Sequence, residues 1–488
     1  MTARSDTFLH WPGWRILSVV LVALLFLGPA IWNGYPLIYF DSEDYVEMAF
    51  TWQPIIFRIM TYGLVTALAR PFDTLWVIPI FQAVLAAWLL HEAVWAWIAR
   101  WRPQVYFAMG LLLALTTGLP WVVAQVMADV YAGFTILGIA ILAFGTALPL
   151  WRRLLLIPII GLSICVHMTH VAVACGLVLV LVAIWLLARL SLRMPRPRLA
   201  LVLPAVALGV LLVPATHYLA TGRAFFSASG QVLQLALFVQ DGLAQKYLDE
   251  VCPQGAELRL CEYKDQLPQT ADDFLWGPSV FQQLGGWEGM QEEAATIVKG
   301  TIKTFPLDLA RAMVSNTITQ LDLIGTGEDL VPMSWHFVKT QLRRYPDDFR
   351  SFRYAKQQRH GGIDFELLNQ IQVPMAQAAQ LAALVMLVVA WKRRDRISTG
   401  LLAVVIIAFL GNAFVCGALS NPHDRYQNRI VWLALFAVTI TAIRLDQRFT
   451  TKRPSAGERR AVLDYPQQQN QSQHQDGTGA RQSQDSTQ

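Results

Sequence analysis

Residues 14–50 read WRILSVVLVALLFLGPAIWNGYPLIYFDSEDYVEMAF, an apolar run from Trp14 to Trp32 followed closely by Asp41, Glu43, Asp44 and Glu47. The run is long enough to cross a bilayer, which takes about 20 residues. Arg4 and Arg15 precede and open it, so its start is expected to stay cytoplasmic and its end to emerge outside. Charge this close to hydrocarbon is costly, which makes an acidic cluster at the outer mouth of the first helix a candidate for catalysis or ion handling. No small-x-small site follows before Asn33, so the run reads as a retained helix rather than a cleaved signal.

The whole chain fits that start. Of 488 residues 55% are hydrophobic and 15% charged, with 17 tryptophans suited to interfacial belts. This is the composition of an all-α polytopic membrane protein. The net charge of +5 would indicate nucleic acid only if concentrated on a soluble face, but Arg and Lys fall in short clusters between apolar runs and read as orientation signals. No nucleic-acid partner is expected.

Further apolar runs lie at 75–98, 105–119, 130–150, 154–166, 171–187, 199–218, 373–391, 401–419 and 430–443, which with the first gives about ten spans. Basic clusters at Arg100 and Arg102, Arg152 and Arg153, Arg189 through Arg198, Lys392 through Arg396, and from Arg444 onward mark every second connection as cytoplasmic. The remaining connections are then external, and both termini cytoplasmic. The segment Ile55 to Ala69 carries Arg58 and is short for a span. It reads as an amphipathic helix lying in the outer interface, entered through Pro54 and closed by Arg70 and Pro71.

The expected organisation is a cytoplasmic N-terminus (1–13), a first membrane part (14–218) with an outer loop at 33–74, and an extracytoplasmic, mainly helical domain (219–373). A second membrane part (374–445) and a disordered cytoplasmic tail (446–488) complete it. Cys252 and Cys261 are the cysteines outside the apolar runs, and their short spacing makes a disulfide plausible in an oxidising compartment. Helical spacing is evident over Gly289 to Lys303 and from Pro306 to Ile324, where Pro306 is placed as a helix-starting residue.

Tyr45, Met48, Ala49 and Trp52 repeat at helical spacing, so a short helix should follow Asp41. Asp41 or Ser42 could simply cap it, with Asp44 in the first turn; alternatively Asp41 is a general base held beside a lipid-accessible cavity. Asp129, in MADVYAG, is the acidic residue between Glu92 and Asp241 and should face a cavity or a partner. If Asp129 shares a pocket with Asp41, the two could orient an acceptor or hold a divalent metal, although no ligand spacing demands one. His167 and His170 occupy an outer turn. His423, Tyr426 and the pair Arg425 and Arg429, one helical turn apart, sit in the last outer loop, where the arginines could grip a phosphate.

DSEDYVEMAF followed by WQPIIFR, the outer motif MADVYAG, the late HDRYQNR and the topology across residues 10 to 445 together resemble the glycosyltransferase C superfamily, enzymes that draw a sugar from a polyprenyl-phosphate carrier. The resemblance implies an inverting transfer in a bacterial inner membrane, among membrane lipids, to a glycan, lipid or protein acceptor. It makes Asp41 the base, with Asp44 next; Asp129 stands beside them as a further catalytic candidate. Arg425, Arg429 and Arg58 would hold the donor phosphate, while Tyr45, His167, His170, His423 and Tyr426 would line the acceptor pocket. Several members carry a His or Lys and two prolines after the carboxylate, where this chain has Gln53 and Pro54. A glycine-rich nucleotide cradle is missing, which suits a lipid donor. Two alternatives remain open: a polysaccharide polymerase or ligase centred on Arg343, Arg344, Arg350 and His360, and an ion-coupled transporter using the carboxylates as a relay.

Overall fold

A computed structural model describes residues 12–98, 102–190, 194–334, 343–359 and 361–452. Among them the regular elements are all helical, with one isolated β-bridge between Leu37 and Gln125. Among the described residues seven helices are long and apolar enough to cross a membrane: Gly13–Asn33, Val77–Ile98, Met168–Leu190, Leu199–Thr221, Glu366–Lys392, Arg396–Ala418 and Asp424–Gln447. Leu24, Ile31, Leu179, Leu211, Leu381 and Val385 on these helices are half exposed or more, as side chains facing hydrocarbon would be. The chain divides into two compact units, Met1–Thr441 and Ala442–Gln488, the second holding the end of the last helix. Arg4 and the N-terminal segment, Arg100, His360 and the Gln-rich tail beyond Lys452 lie outside the described residues.

Three apolar runs form helices of 14, 15 and 16 residues, Pro103–Thr116, Val130–Phe144 and Leu150–Cys165. Each is short of the about 20 residues of a full crossing. The first stops where the Thr117 carbonyl accepts from Gln372 Nε2 at 2.9 Å. The second stops at extended Gly145, beyond which Thr146 N–H bonds the Ala96 carbonyl at 3.0 Å. Leu150–Cys165 runs against Leu199–Thr221: a Cβ on Gly161 would fall 2.8 Å from Leu208, and one on Gly209 2.6 Å from Ile164. Glycine on both faces lets the two backbones touch, the usual way apolar helices associate in lipid.

The first loop departs from the expected interfacial helix. Residues 61–66 form a short α-helix and 67–72 a 3-10 turn, with Tyr62 and Thr66 fully buried. Their hydroxyls bind inside the protein, Tyr62 donating to Gln82 Oε1 at 2.9 Å and Thr66 to the Tyr45 carbonyl at 2.8 Å. These polar groups turn inward, while Leu68, Arg70 and Phe72 stay exposed at the end of the segment. The helix after Asp41 is Ser42–Thr51, with Tyr45, Met48 and Ala49 buried. Trp52, expected in the same stripe, instead terminates the helix at φ 57° and is 49% exposed.

Backbone pairing then fixes this loop to the segment carrying Asp129. Leu37 N–H bonds the Ala124 carbonyl at 2.9 Å, Val126 N–H bonds the Leu37 carbonyl at 3.0 Å, and Ser42 Oγ donates to the Val126 carbonyl at 2.9 Å. Gln357 clamps the other edge, accepting from Ile38 N–H at 3.1 Å and donating to the Ile38 carbonyl at 2.6 Å. Nearby, Asp348 accepts from Tyr35 Oη and from Leu75 N–H.

Within residues 230–304, short helices enclose a core that includes Leu235, Phe238, Leu248, Phe274, Phe281 and Ile297. Cys252 and Cys261 are joined by a disulfide at its edge. Buried Glu293 secures the turn beside it, taking Arg259 Nε at 2.9 Å and Leu260 N–H at 2.7 Å. Gln291–Thr304 and Pro306–Asp322 form the two longer helices of this region, the second opened by its proline.

Candidate functional site

Asp41 occupies the residue before Ser42–Thr51 but makes no side-chain cap, so its carboxylate is directed elsewhere. Oδ1 pairs with Arg58 Nη2, and Oδ2 receives Arg425 Nη1 at 3.3 Å. Ser42 does not cap the helix with its side chain either: its Oγ accepts from Tyr39 N–H at 3.0 Å while donating to Val126. Arg58 also reaches Asp44, Nε to Oδ2 at 3.2 Å. One arginine thus ties the two leading acidic residues together. Burial pushes the Asp44 carboxyl up to about 6, with Arg58 opposing and the Asp41 charge adding to the rise.

Arg425 is held on several sides. Its guanidinium lies 4.5 Å from the Tyr39 ring centre and 4.8 Å from that of Tyr426, and Nη2 donates to Tyr426 Oη at 3.0 Å. Its backbone N–H donates to Glu328 Oε2 at 2.9 Å, and Glu328 Oε1 is 2.9 Å from His423 Nδ1. Burial would raise the Glu328 carboxyl; His423 and the Arg425 backbone together outweigh it and hold it below the usual range. Arg425 Nε is buried with no acceptor within reach. A void of about 10 Å³ lined by Tyr39, Asp129, Glu328 and Arg425 adjoins it, the space of a single water.

Arg429, one turn on, is turned into the protein. With 0% of its side chain exposed it pairs with Asp129 (2.8 Å), Thr169 Oγ1 (2.9 Å) and Asn412 Oδ1 (3.4 Å). Asn412 lies just before a π-helical stretch, Phe414–Ala418, and Gly417 within it packs so closely that a Cβ would sit 2.5 Å from the Asn316 carbonyl. A π-turn re-aims the side chains of its helix, here bringing Cys416 to Arg429 as well. Asp129 is therefore a buried ion-pair partner, not a side-chain helix cap.

The remaining expected residues are distributed around this core. Tyr45 is buried against Tyr62, ring centres 4.7 Å apart. The His167 and His170 rings lie 5.2 Å apart, tilted by 35°; His167 Nδ1 is 2.8 Å from Thr169 Oγ1 and His170 Nδ1 is 3.0 Å from the Ser163 carbonyl. Burial, then His170 and Arg429, push His167 well below its ordinary value. His423 also approaches Asp272 Oδ2 at 3.5 Å. Both carboxylates that could share a metal, Asp41 and Asp129, face guanidiniums, and among the described residues no group of three or more His, Cys, Asp or Glu side chains could hold an ion. Of the alternative arginine centre, Arg344 pairs with Glu47 at 2.9 Å.

Tyr39, Glu328 and Asp329 belong to the site without having been singled out in the sequence. Tyr39 Oη donates to Asp329 Oδ2 at 2.8 Å. The signal for the acidic pair was its setting in GTGEDL, where Gly327 takes φ 98° and Glu328 and Asp329 directly follow. Compared with protein families, with curated proteins and with solved structures, the chain finds no match.

Proposed function

We propose that this protein is a membrane glycosyltransferase that moves a sugar from a polyprenyl-phosphate carrier to an envelope acceptor on the outer face of a bacterial inner membrane. The observation that carries this is the contact of Asp41 with both Arg58 and Arg425. An arriving phosphate would compete for those guanidiniums, whose forked donors match its oxygens. Asp41 would then be left with an oxygen free to take the proton of an acceptor hydroxyl. Transfer needs little else, because polyprenyl phosphate is already a good leaving group: position the acceptor, accept its proton, and neutralise the departing phosphate.

Arg429 and Asp129 act in this scheme as a buttress that aims the start of the last helix, while Arg425 and Arg58 hold the donor. An apolar groove of about 450 Å³ lined by Leu321, Gln377, Leu381, Leu384, Ile406 and Leu410 is suited to a prenyl chain. The one-water void at Arg425 is too small for a sugar, so donor binding requires the site to open. The three shorter apolar helices complete a ten-span bundle with both termini cytoplasmic, supported by their packing beside full-length spans. Mass spectrometry of envelope glycolipids and glycans from cells with and without the gene tests the reading: one sugar should vanish with the gene, and identical profiles would refute the assignment.

A further inference from the structure

Three aromatic rings from distant parts of the chain meet beside the charged centre. Phe57 lies 5.2 Å from Trp276 and 4.7 Å from Trp287, and the two indoles are 5.3 Å apart. Trp276 remains 51% exposed, so half of its surface is open to an incoming group. Phe57 directly precedes Arg58, whose guanidinium stands 5.3 Å from the Phe57 ring while bonding Asp41 and Asp44. The platform is thus one residue removed from the centre. One helical turn before Trp276, whose N–H bonds the Asp272 carbonyl at 2.8 Å, stands Asp272, half exposed, whose Oδ2 receives Asn421 Nδ2 at 3.3 Å and lies 3.5 Å from His423 Nε2.

We propose that Phe57, Trp276 and Trp287, with Asp272 and Asn421 at their rim, form the acceptor subsite and bind a neutral pyranose ring. The inference rests on the transferase reading above and adds the class of its acceptor. A pyranose has one face of C–H bonds with slight positive charge, which suits the electron-rich face of an indole, and a girdle of hydroxyls that both donate and accept. Asp272 supplies an acceptor for those hydroxyls and Asn421 both kinds of group. A Trp that only anchors the protein in lipid headgroups would not need this carboxylate and amide beside it. An anionic sugar is disfavoured by Asp272 and the nearby carboxylates.

The test uses the full chain in lipid nanodiscs prepared without glycoside detergent. Saturation-transfer NMR would be recorded with the methyl pyranosides of glucose, galactose and mannose, and with glucuronate as the anionic control. Saturation should reach the ring protons of at least one neutral glycoside, fall about fivefold or more in Trp276→Ala and persist in Trp276→Phe, which keeps a stacking face. Asp41→Asn should bind as wild type does while losing transfer, so failure of the platform and failure of the base are told apart. Equal saturation in wild type and Trp276→Ala, transfer to glucuronate alone, or none to any neutral glycoside would overturn the proposal.

Discussion

Asp41 and Arg425 are separated by 384 residues in the chain, yet Oδ2 of one lies 3.3 Å from Nη1 of the other. The contact joins the first outer loop to the start of the last helix, and it is largely buried, with 9% of the Asp41 side chain and 18% of the Arg425 side chain exposed. Leu37, paired with Ala124 and Val126, and Gln357, bonded to Ile38, fix the loop end of that contact. Arg429, paired with Asp129, fixes the helix end.

If Arg425 grips the donor phosphate with its planar fork, a lysine of the same charge cannot replace it. Arg425→Lys should lower transfer by about 10²-fold, the size of losing one oriented donor to a developing anion. Transfer assays with membranes carrying each variant check this. A lysine variant with near-normal turnover would mean that Arg425 contributes charge alone.

The Asp129–Arg429 pair has a different signature. Removing one partner of a buried pair leaves the other charge uncompensated, at a cost of about 3–5 kcal/mol. Asp129→Asn and Arg429→Gln should each show that loss by unfolding in nanodiscs, whereas the double variant should be less destabilised than the sum of the two. Strict additivity would show that the pair does not act as a unit.

Asp44 predicts a dependence on pH. Its carboxyl is raised to about 6 in the folded protein from 3.8, so the folded state holds this proton more tightly than the unfolded chain does. The resulting stabilisation is fully present below pH 3.8 and is lost as pH rises through about 6. A shift of that size corresponds to at most about 3 kcal/mol. Asp44→Asn removes the titrating group, so stability measured from pH 4 to pH 7 should decline less steeply in the variant. Parallel profiles would show that Asp44 titrates alike in both states.

The apolar runs were legible because length and hydropathy are local properties, and the acidic residues were legible because charge beside hydrocarbon is conspicuous. Helix ends were harder. Pro103–Thr116 stops where Gln372 binds the Thr117 carbonyl and where a Cβ on Gly118 would fall 2.3 Å from Asn428, both contacts with distant segments. The residues 55–69 read as an interfacial helix because Arg58 interrupts a run too short for a span, bounded by Pro54 before it and by Arg70 and Pro71 after it. Arg58, Thr66 and Arg70 serve internal partners instead: Arg58 bonds Asp41, Thr66 the Tyr45 carbonyl, and Arg70 the Ala49 carbonyl. Arg425 and Arg429 share a helix face by spacing, but only tertiary packing turns one toward Asp41 and the other toward Asp129.

Sugar transfer by Asp41→Asn, assayed in membranes alongside its thermal unfolding, bears most directly on the role assigned to the first loop. Asparagine keeps the shape and removes the proton acceptor, so transfer should be abolished while the protein still folds and inserts. Turnover close to that of the unsubstituted protein would contradict the account.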